Sequence, residues 1–190
     1  MKFIRTVIPD VVIIEPALWG DERGYFVETF RQDKLNDFLG FDINFVQDNE
    51  SKSGYGVLRG LHYQLAPAAQ TKLVRVIKGK VLDVAVDIRT GSPTFGQHVS
   101  VELSEQNKRQ LLVPRGFAHG FVVLEDDTIF AYKVDNYYSP ENDRGIAFDD
   151  PALGINWLVD INRLKLSAKD TQQPTLANAE VFTSGQSLYA

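Results

Sequence analysis

Three histidines are the residues of this sequence best suited to move a proton near pH 7, because a neutral imidazole titrates in that range. His62 lies in the strand-like run 57–65 (VLRGLHYQL). Strand alternation puts Arg59 on the opposite face from His62 unless Gly60 marks a β-bulge, since one extra residue reverses the parity of everything beyond it. Two roles therefore stay open for His62, a buried barrel histidine and a catalytic base.

The other two histidines occur in different settings. His119 falls in the segment 114–121 (PRGFAHGF), where a proline and two glycines predict a tight turn that leads into an apolar strand. This histidine fits either a functional loop or a turn in which it bonds a backbone carbonyl. His98 lies in an ordinary strand pattern, so we expect it at the surface. The sequence has no His-x-His pair, which jelly-roll metal sites commonly use, so we expect no metal.

Three further side chains could assist proton transfer, although each also has a common structural role. Strand alternation groups Tyr132 with Phe130 and Val134, as in a packed core. Lys72 opens a strand-like run and would most often be a solvated strand edge. Asp170 would by composition be a loop residue or a helix cap. None of the three is diagnostic on its own.

Strands must position these residues, because short β-branched and aromatic runs alternate with turn signals along the chain. The predicted strands are 24–30, 57–65, 72–77, 80–88, 97–103, 120–124 and 127–134. One helix is predicted over Gln32 to Leu39, with Gly40 as its stop, and a short second one between Ile161 and Ser167. Many strands at hairpin spacing indicate an all-β, mainly antiparallel sandwich or barrel, and a jelly roll is the natural choice.

Composition narrows the functional classes. The 190 residues, 44% of them hydrophobic, fit one domain spanning 1–190 with an ample core. The absence of cysteine excludes disulfides, thiolate metal sites and cysteine nucleophiles. A net charge of −5 disfavours nucleic-acid and membrane binding. The first 16 residues match neither a signal peptide nor a membrane span, so we expect a cytoplasmic protein. No Gly-x-Gly-x-x-Gly pattern indicates a dinucleotide site.

Taken together, several motifs in order resemble the dTDP-4-dehydrorhamnose 3,5-epimerase family over about Ile8 to Phe182. They are DERGYFVE (21–28), QDN (47–49), LRGLHYQ (58–64), PRGFAHGF (114–121), AYK (131–133), YSP (138–140), DDP (149–151) and LSAKD (166–170). The resemblance implies a cupin-type jelly roll that forms a homodimer. It also implies an isomerase that needs no metal, flavin or nicotinamide cofactor. The implied substrate is dTDP-4-dehydro-6-deoxy-D-glucose, epimerised at C3 and C5 to dTDP-4-dehydro-L-rhamnose.

The resemblance also implies residue roles. His62 is expected to be the catalytic base, Asp170 the carboxylate that orients it, Tyr132 the proton donor and Lys72 the cation beside the C4 carbonyl. Asp83 is the implied partner of His119. The implied substrate-binding residues, some of them supplied by the partner subunit, are Arg23, Phe26, Glu28, Gln47, Asn49, Arg59, His119, Tyr138, Asp143 and Lys169. Family members often carry Glu where this chain has Asp143.

Two kinds of alternative remain at this point. The first is a relative on the same scaffold, either a 3- or 5-epimerase or a 3,4-ketoisomerase acting on a dTDP-4-keto sugar. The second is a different class, a non-catalytic jelly-roll binding module or a metal-dependent oxygenase. The scattered histidines disfavour the oxygenase, and the basic residues beside the proposed acid and base groups disfavour an inert module.

Overall fold

The computed structural model describes residues 1–183 and 186–189, and it folds as two antiparallel sheets packed face to face in a jelly roll. The strands are β1 (Lys2–Arg5), β2 (Val12–Glu15), β3 (Leu18–Asp21), β4 (Gly24–Val27), β5 (Gln47–Ser53), β6 (Leu58–Gln64), β7 (Lys72–Lys78), β8 (Lys80–Asp87), β9 (His98–Ser104), β10 (Gln110–Val113), β11 (Phe117–Val123), β12 (Thr128–Val134) and β13 (Asp143–Gly145). The predicted fold class is confirmed.

The strand order explains where the core lies. One sheet has the order β1-β2-β10-β7-β12-β5, and the other has β13-β6-β11-β8-β9. Alternate side chains point inward from both sheets, so Val74 and Phe130 of the first pack with Val81, Phe121 and others of the second in one buried cluster. Burying each of these apolar side chains contributes roughly 1.5–3 kcal/mol before the cost of ordering the chain.

All seven predicted strand regions contain a strand, and the helix α1 spans Gln32–Leu39 as predicted. Leu35 is its buried residue, and Gly40 ends it in the left-handed conformation with φ 80°. The predicted second helix is reduced to a single 3₁₀ turn over Ile161–Arg163. The sequence patterns did not predict β1, β2, β3, β5, β10 or β13.

The hairpin formed by β3 and β4 is a separate two-stranded sheet, and most of its side chains lie in solvent. Trp19, Tyr25 and Phe26 are each more than half exposed, and the rings of Trp19 and Phe26 lie 5.9 Å apart. This hairpin therefore presents an aromatic surface that its own chain does not cover. Among the described residues, no helix is long and apolar enough to cross a membrane.

Candidate active site

One cavity of about 350 Å³ lies between the two sheets and collects most of the predicted proton-transfer groups. Its volume is within the range of small-molecule sites. Strands β5, β6, β7, β11 and β12 form its walls, and Ser167 and Asp170, from the segment after β13, also line it. The lining residues are Asn49, Glu50, Ser51, Arg59, His62, Lys72, His119, Phe121, Phe130, Tyr132, Ser167 and Asp170.

A histidine–carboxylate pair lines this cavity. His62 Nε2 is 2.5 Å from Asp170 Oδ1, and the Asp170 side chain is 3% exposed. Ser167 Oγ donates to the other carboxylate oxygen at 2.8 Å. Burial pushes the pKa of Asp170 upward, but hydrogen bonds from His62 and Ser167 outweigh burial and hold that pKa below its usual value. An ionised Asp170 fixes the proton of His62 on Nε2, so Nδ1 is left able to accept a proton.

A bulge in β6 brings Arg59 and His62 to the same face. His119 of β11 pairs with His62 of β6, and Phe121 pairs with Arg59. The two β11 residues are two positions apart, whereas their β6 partners are three positions apart. The β6 strand therefore carries one extra residue beside Gly60, and both Arg59 and His62 line the cavity. The bulge hypothesis for Gly60 is confirmed.

Two glycines make this strand pairing possible. Gly60 has φ +132°, and a Cβ on it would lie 2.5 Å from the Cα of Gly120. A Cβ on Gly120 would lie 2.8 Å from the carbonyl oxygen of Arg59. Because neither strand can move away without losing its other neighbours, both positions require glycine. These two residues set the separation of the strands that carry His62 and His119.

Lys72 is not a solvated strand edge, so that interpretation of the sequence is wrong. It opens β7, which lies between β10 and β12 inside its sheet, and its ammonium donates to the carbonyl oxygen of His62 at 3.4 Å. Burial lowers its pKa to about 8, although the nearby carboxylates Asp143 and Asp83 partly oppose that shift. Among the residues that the structure describes, this largely buried ammonium has no carboxylate within 4 Å, and an ammonium so placed is suited to stabilise a developing oxyanion.

Tyr132 has a position that is compatible with both of the roles that the sequence left open. It packs against the core cluster beside Phe130, and it also lines the cavity. Burial raises the pKa of its phenol, and the positive charge of Arg59 only partly offsets this effect. The hydroxyl is therefore protonated at neutral pH and is available as a donor.

His119 and Asp83 form a second, more deeply buried pair. His119 Nε2 lies 2.9 and 3.0 Å from the two carboxylate oxygens of Asp83, which is fully buried on β8. His119 also lines the cavity. His98, by contrast, lies outside the cavity. It is partly buried rather than at the surface as expected, and burial lowers its pKa.

Three of the predicted binding residues form a charged cluster near the cavity but do not line it. Tyr138 donates its hydroxyl hydrogen to Asp143 Oδ2 at 3.1 Å, and the Lys169 ammonium contacts the same oxygen. Asp143 is brought there by the pairing of β13 with β6, where it faces Gln64. The shorter carboxylate of this chain is thus already engaged by two neighbouring side chains.

The remaining predicted binding residues lie outside the cavity. Gln47 is connected to the cavity through Asn49, a lining residue, because its side-chain amide donates to Asn49 Oδ1 at 2.8 Å. Arg23 pairs with Asp21 at the exposed tip of the hairpin, and Phe26 is 68% exposed. Glu28 pairs with Lys34 at 3.1 Å on the surface. A single chain does not bring the hairpin residues to its own cavity.

Several lining residues were not predicted, and some had a signal in the sequence. Ser51 is two positions from Asn49, and Phe130 two positions from Tyr132, so strand alternation could have placed both on the same face as a predicted residue. Ser167 belongs to the same LSAKD motif as Asp170. Phe121 lies two positions from His119 and belongs to the PRGFAHGF motif, so it carried the same signal, whereas Glu50 had none. No group of three His, Cys, Asp or Glu side chains arranged to hold a metal ion occurs within residues 1–183 and 186–189.

Comparisons with known proteins give a consistent result. A family model described as dTDP-4-dehydrorhamnose 3,5-epimerase matches residues 5–178. The enzyme of that name from Shigella flexneri is 54% identical over 182 residues, which cover 96% of this chain and 99% of the relative.

Two solved structures have a similar fold. A dTDP-6-deoxy-D-glucose-3,5-epimerase from Legionella pneumophila, in complex with dTDP-4-keto-L-rhamnose, is 48% identical with a TM-score of 0.93, covering 97% of this chain and 99% of that one. A 3'-monoepimerase from Streptomyces bikiniensis, in complex with dTDP-quinovose, is 35% identical with a TM-score of 0.86, covering 90% and 86%.

Proposed function

The chain belongs to the dTDP-4-dehydrorhamnose 3,5-epimerase family, and from that membership we propose that it inverts C3 and C5 of dTDP-4-dehydro-6-deoxy-D-glucose to form dTDP-4-dehydro-L-rhamnose. Both reacting carbons are adjacent to the C4 ketone. Removing a proton from either one leaves charge that spreads onto the C4 oxygen. The reaction therefore needs a base, a cation beside the forming enolate, and an acid on the opposite side of the sugar ring.

His62 is the proposed base. Its Nδ1 accepts the carbon-bound proton while Nε2 stays bonded to Asp170, which stabilises the imidazolium as it forms. A positioned base of this kind typically contributes a factor of roughly 10²–10⁴ to the rate. The support for this role is the 2.5 Å contact inside the cavity, together with the hydrogen bond from Ser167 that holds the carboxylate in place.

Lys72 is the proposed enolate-stabilising cation, and Tyr132 is the proposed proton donor. A buried ammonium acts on the C4 oxygen in a region of low dielectric, where such charge stabilisation is usually the largest catalytic contribution. The enolate carbon is a far stronger base than a phenolate, so proton transfer from the neutral Tyr132 hydroxyl is downhill. Return of the proton from that side inverts the configuration.

The nucleotide and diphosphate are proposed to be bound by residues around and outside the cavity. Arg59 and His119 face the cavity and can bind phosphate oxygens, and guanidinium does so bidentately. Gln47, Asn49, Lys169 and the Tyr138 ring would contact the rest of the ligand. Binding at this non-reacting end would orient the keto sugar at His62.

We also propose a homodimer in which the hairpin supplies Arg23 and Phe26, and the residue directly after it, Glu28, to the partner subunit's site. Its support is the hairpin itself, whose aromatic side chains are more than half exposed and lie outside the cavity of their own chain. Sedimentation analysis of the wild type and of the Phe26→Asp variant tests this. Unchanged mass and substrate affinity in the variant would refute it.

The observation that carries the proposed function is the convergence of His62, Lys72 and Tyr132 on one cavity. Incubation with the 4-keto substrate in heavy water, with and without a chelator, tests the function. Deuterium at both C3 and C5, unaffected by the chelator, is expected. Deuterium at one carbon only would indicate a one-centre epimerase, of which the S. bikiniensis relative is an example. No exchange would indicate a binding module.

Two expectations from the sequence stay predictions. A single cooperative unfolding transition in calorimetry would support one domain over residues 1–190. Fractionation of the producing cells would test the cytoplasmic location.

A further inference from the structure

Three strands that carry active-site groups are tied together at one end of the barrel. Thr71 precedes β7, which begins with Lys72. Asp135 follows β12, which carries Tyr132, and Arg115 precedes β11, which carries His119. One Asp135 carboxylate oxygen accepts the Thr71 N–H at 2.6 Å, and the other accepts Arg115 Nε–H at 3.1 Å. The three strand ends therefore share one buried carboxylate.

The C-terminal clasp, which we define as Leu188 and Tyr189, adds a second connection at the same point. The Tyr189 hydroxyl lies 2.9 Å from Thr71 Oγ1 and accepts the backbone N–H of Arg115 at 3.0 Å. Arg115 Nη1 donates to the carbonyl oxygen of Leu188 at 2.7 Å, and its guanidinium lies over the Tyr189 ring at 5.1 Å. Thr71 is fully buried beneath this contact.

The family match ends at residue 178, so the clasp lies outside the region that the family model covers. We propose that Tyr189 is a positioning residue, which acts through Thr71 and Arg115 to hold Lys72 in the cavity. This inference rests on the proposed function, because it assigns the clasp a role in the step that Lys72 supports. In the described part of the chain the Tyr189 hydroxyl bonds Thr71 and Arg115 and no residue of the proposed catalytic set, so Tyr189 is not a catalytic residue.

The backbone of Lys72 pairs with Val113 of β10 and Val134 of β12, but little fixes its ammonium. Within the described residues its ammonium makes one hydrogen bond, to the carbonyl oxygen of His62, and no salt bridge within 4 Å. A lysine has a flexible four-carbon stem, and its ammonium is strongly hydrated in water. Fixing the backbone at Thr71 limits where that ammonium can reach, and small displacements of a catalytic group lower rates by large factors.

The Tyr189→Phe variant tests the proposal, with Tyr55→Phe as the matched control. Both changes remove one hydroxyl and keep the ring, and each ring lies under an arginine, Arg115 or Arg163. The hydroxyl of Tyr55 has no hydrogen bond within the part of the chain that the structure describes. We expect Tyr189→Phe to lower kcat about tenfold with KM changed less than about twofold, and Tyr55→Phe to leave both unchanged.

Two further measurements separate positioning from general destabilisation. Amide hydrogen exchange should quicken at Thr71 and Lys72 in Tyr189→Phe and remain as in the wild type across β9, which lies outside the clasp. The Thr71→Val variant should lower kcat by part of that factor, because it removes only the contact between Thr71 and the Tyr189 hydroxyl. The double variant should be no worse than Tyr189→Phe, which already lacks that contact.

The possible outcomes decide the proposal. Equal kcat in Tyr189→Phe and the wild type, an effect confined to KM, or additive losses in the double variant would each overturn it. If the wild type itself failed to turn over the 4-keto sugar, the proposed function would fall. Amide hydrogen exchange at Thr71 would then still show whether the clasp holds the start of β7. An unchanged exchange rate there in Tyr189→Phe would refute that structural role of the clasp.

Discussion

Replacing Asp170 by asparagine tests the proposed base most directly, because the two side chains have the same shape and differ in charge. In the wild type, Ser167 Oγ donates to one oxygen and His62 Nε2 contacts the other. In the variant, Ser167 Oγ would still donate a hydrogen bond to the side-chain oxygen at position 170, so the amide nitrogen would face His62. His62 Nε2 would then have to accept a hydrogen bond, so its proton would move to Nδ1. The nitrogen facing the substrate could no longer take a proton.

The magnitude of the loss can be worked from the pair itself. Two opposite unit charges about 4 Å apart interact by about 4 kcal/mol at an effective dielectric constant of about 20. That dielectric constant suits this site because Asp170 is buried but His62 is 31% exposed. Since about 1.4 kcal/mol corresponds to a factor of ten, the imidazolium formed during the reaction loses stabilisation equivalent to about 10³ in kcat.

The assay combines turnover, isotope exchange and ligand binding. We expect Asp170→Asn to lower both kcat and deuterium incorporation at C3 and C5 about 10³-fold, while dTDP affinity by calorimetry changes less than about threefold. Asp160→Asn is the matched control, since Asp160 caps the 3₁₀ turn at Ile161–Arg163 and asparagine caps equally well. If Asp170→Asn kept more than about a tenth of kcat with exchange at both carbons, the assignment of His62 and Asp170 would be wrong.

Three other predictions follow from the cavity and its walls. Because burial lowers the pKa of Lys72 to about 8, the required ammonium is lost earlier than in a free lysine. The pH profile of kcat/KM should therefore fall above about pH 8, and a profile flat to about pH 10 would contradict this role. Tyr132→Phe should lower the rate of deuterium exchange at C3 less than it lowers the rate of formation of epimerised product, because the donor is needed chiefly at C5. NMR of the products formed in heavy water measures both rates, and equal losses would contradict this role. Gly120→Ala places a Cβ 2.8 Å from the Arg59 carbonyl oxygen and should cost about 1–3 kcal/mol of unfolding free energy in calorimetry, whereas Gly20→Ala, with its nearest atom at 3.5 Å, should not.

The sequence predicted the elements whose apolar side chains alternate, and it missed those without that pattern. Strand β8 (KVLDVAVD) is mostly apolar and was identified with nearly correct bounds. Strand β5 (QDNESKS) contains no apolar residue, because it lies at the edge of its sheet and is held by backbone pairing with β12. Strand β10 is too short, at four residues, to show a period.

The site was predictable only through the family resemblance. His62 and Asp170 are 108 positions apart, and no local pattern brings them together. The burial of Lys72 depends on which strands flank β7, which is a property of the sheet order and not of the run that contains it. The contact between Tyr189 and Thr71 spans 118 positions and lies outside the matched family region, so neither the residue pattern nor the resemblance indicated it.

The extra residue in β6 makes the number of amino acids between Arg59 and His62 part of the catalytic apparatus. If all seven residues of β6 paired regularly with β11, without the bulge, His62 and every later side chain would turn to the face opposite Arg59. The imidazole would then point at the apolar layer formed by Leu58 and its neighbours, and Leu61 would replace it in front of the sugar. The spacing of Arg59 and His62 is thus as strict a requirement as their identity. A redesign that transfers the histidine to another strand must also transfer the bulge.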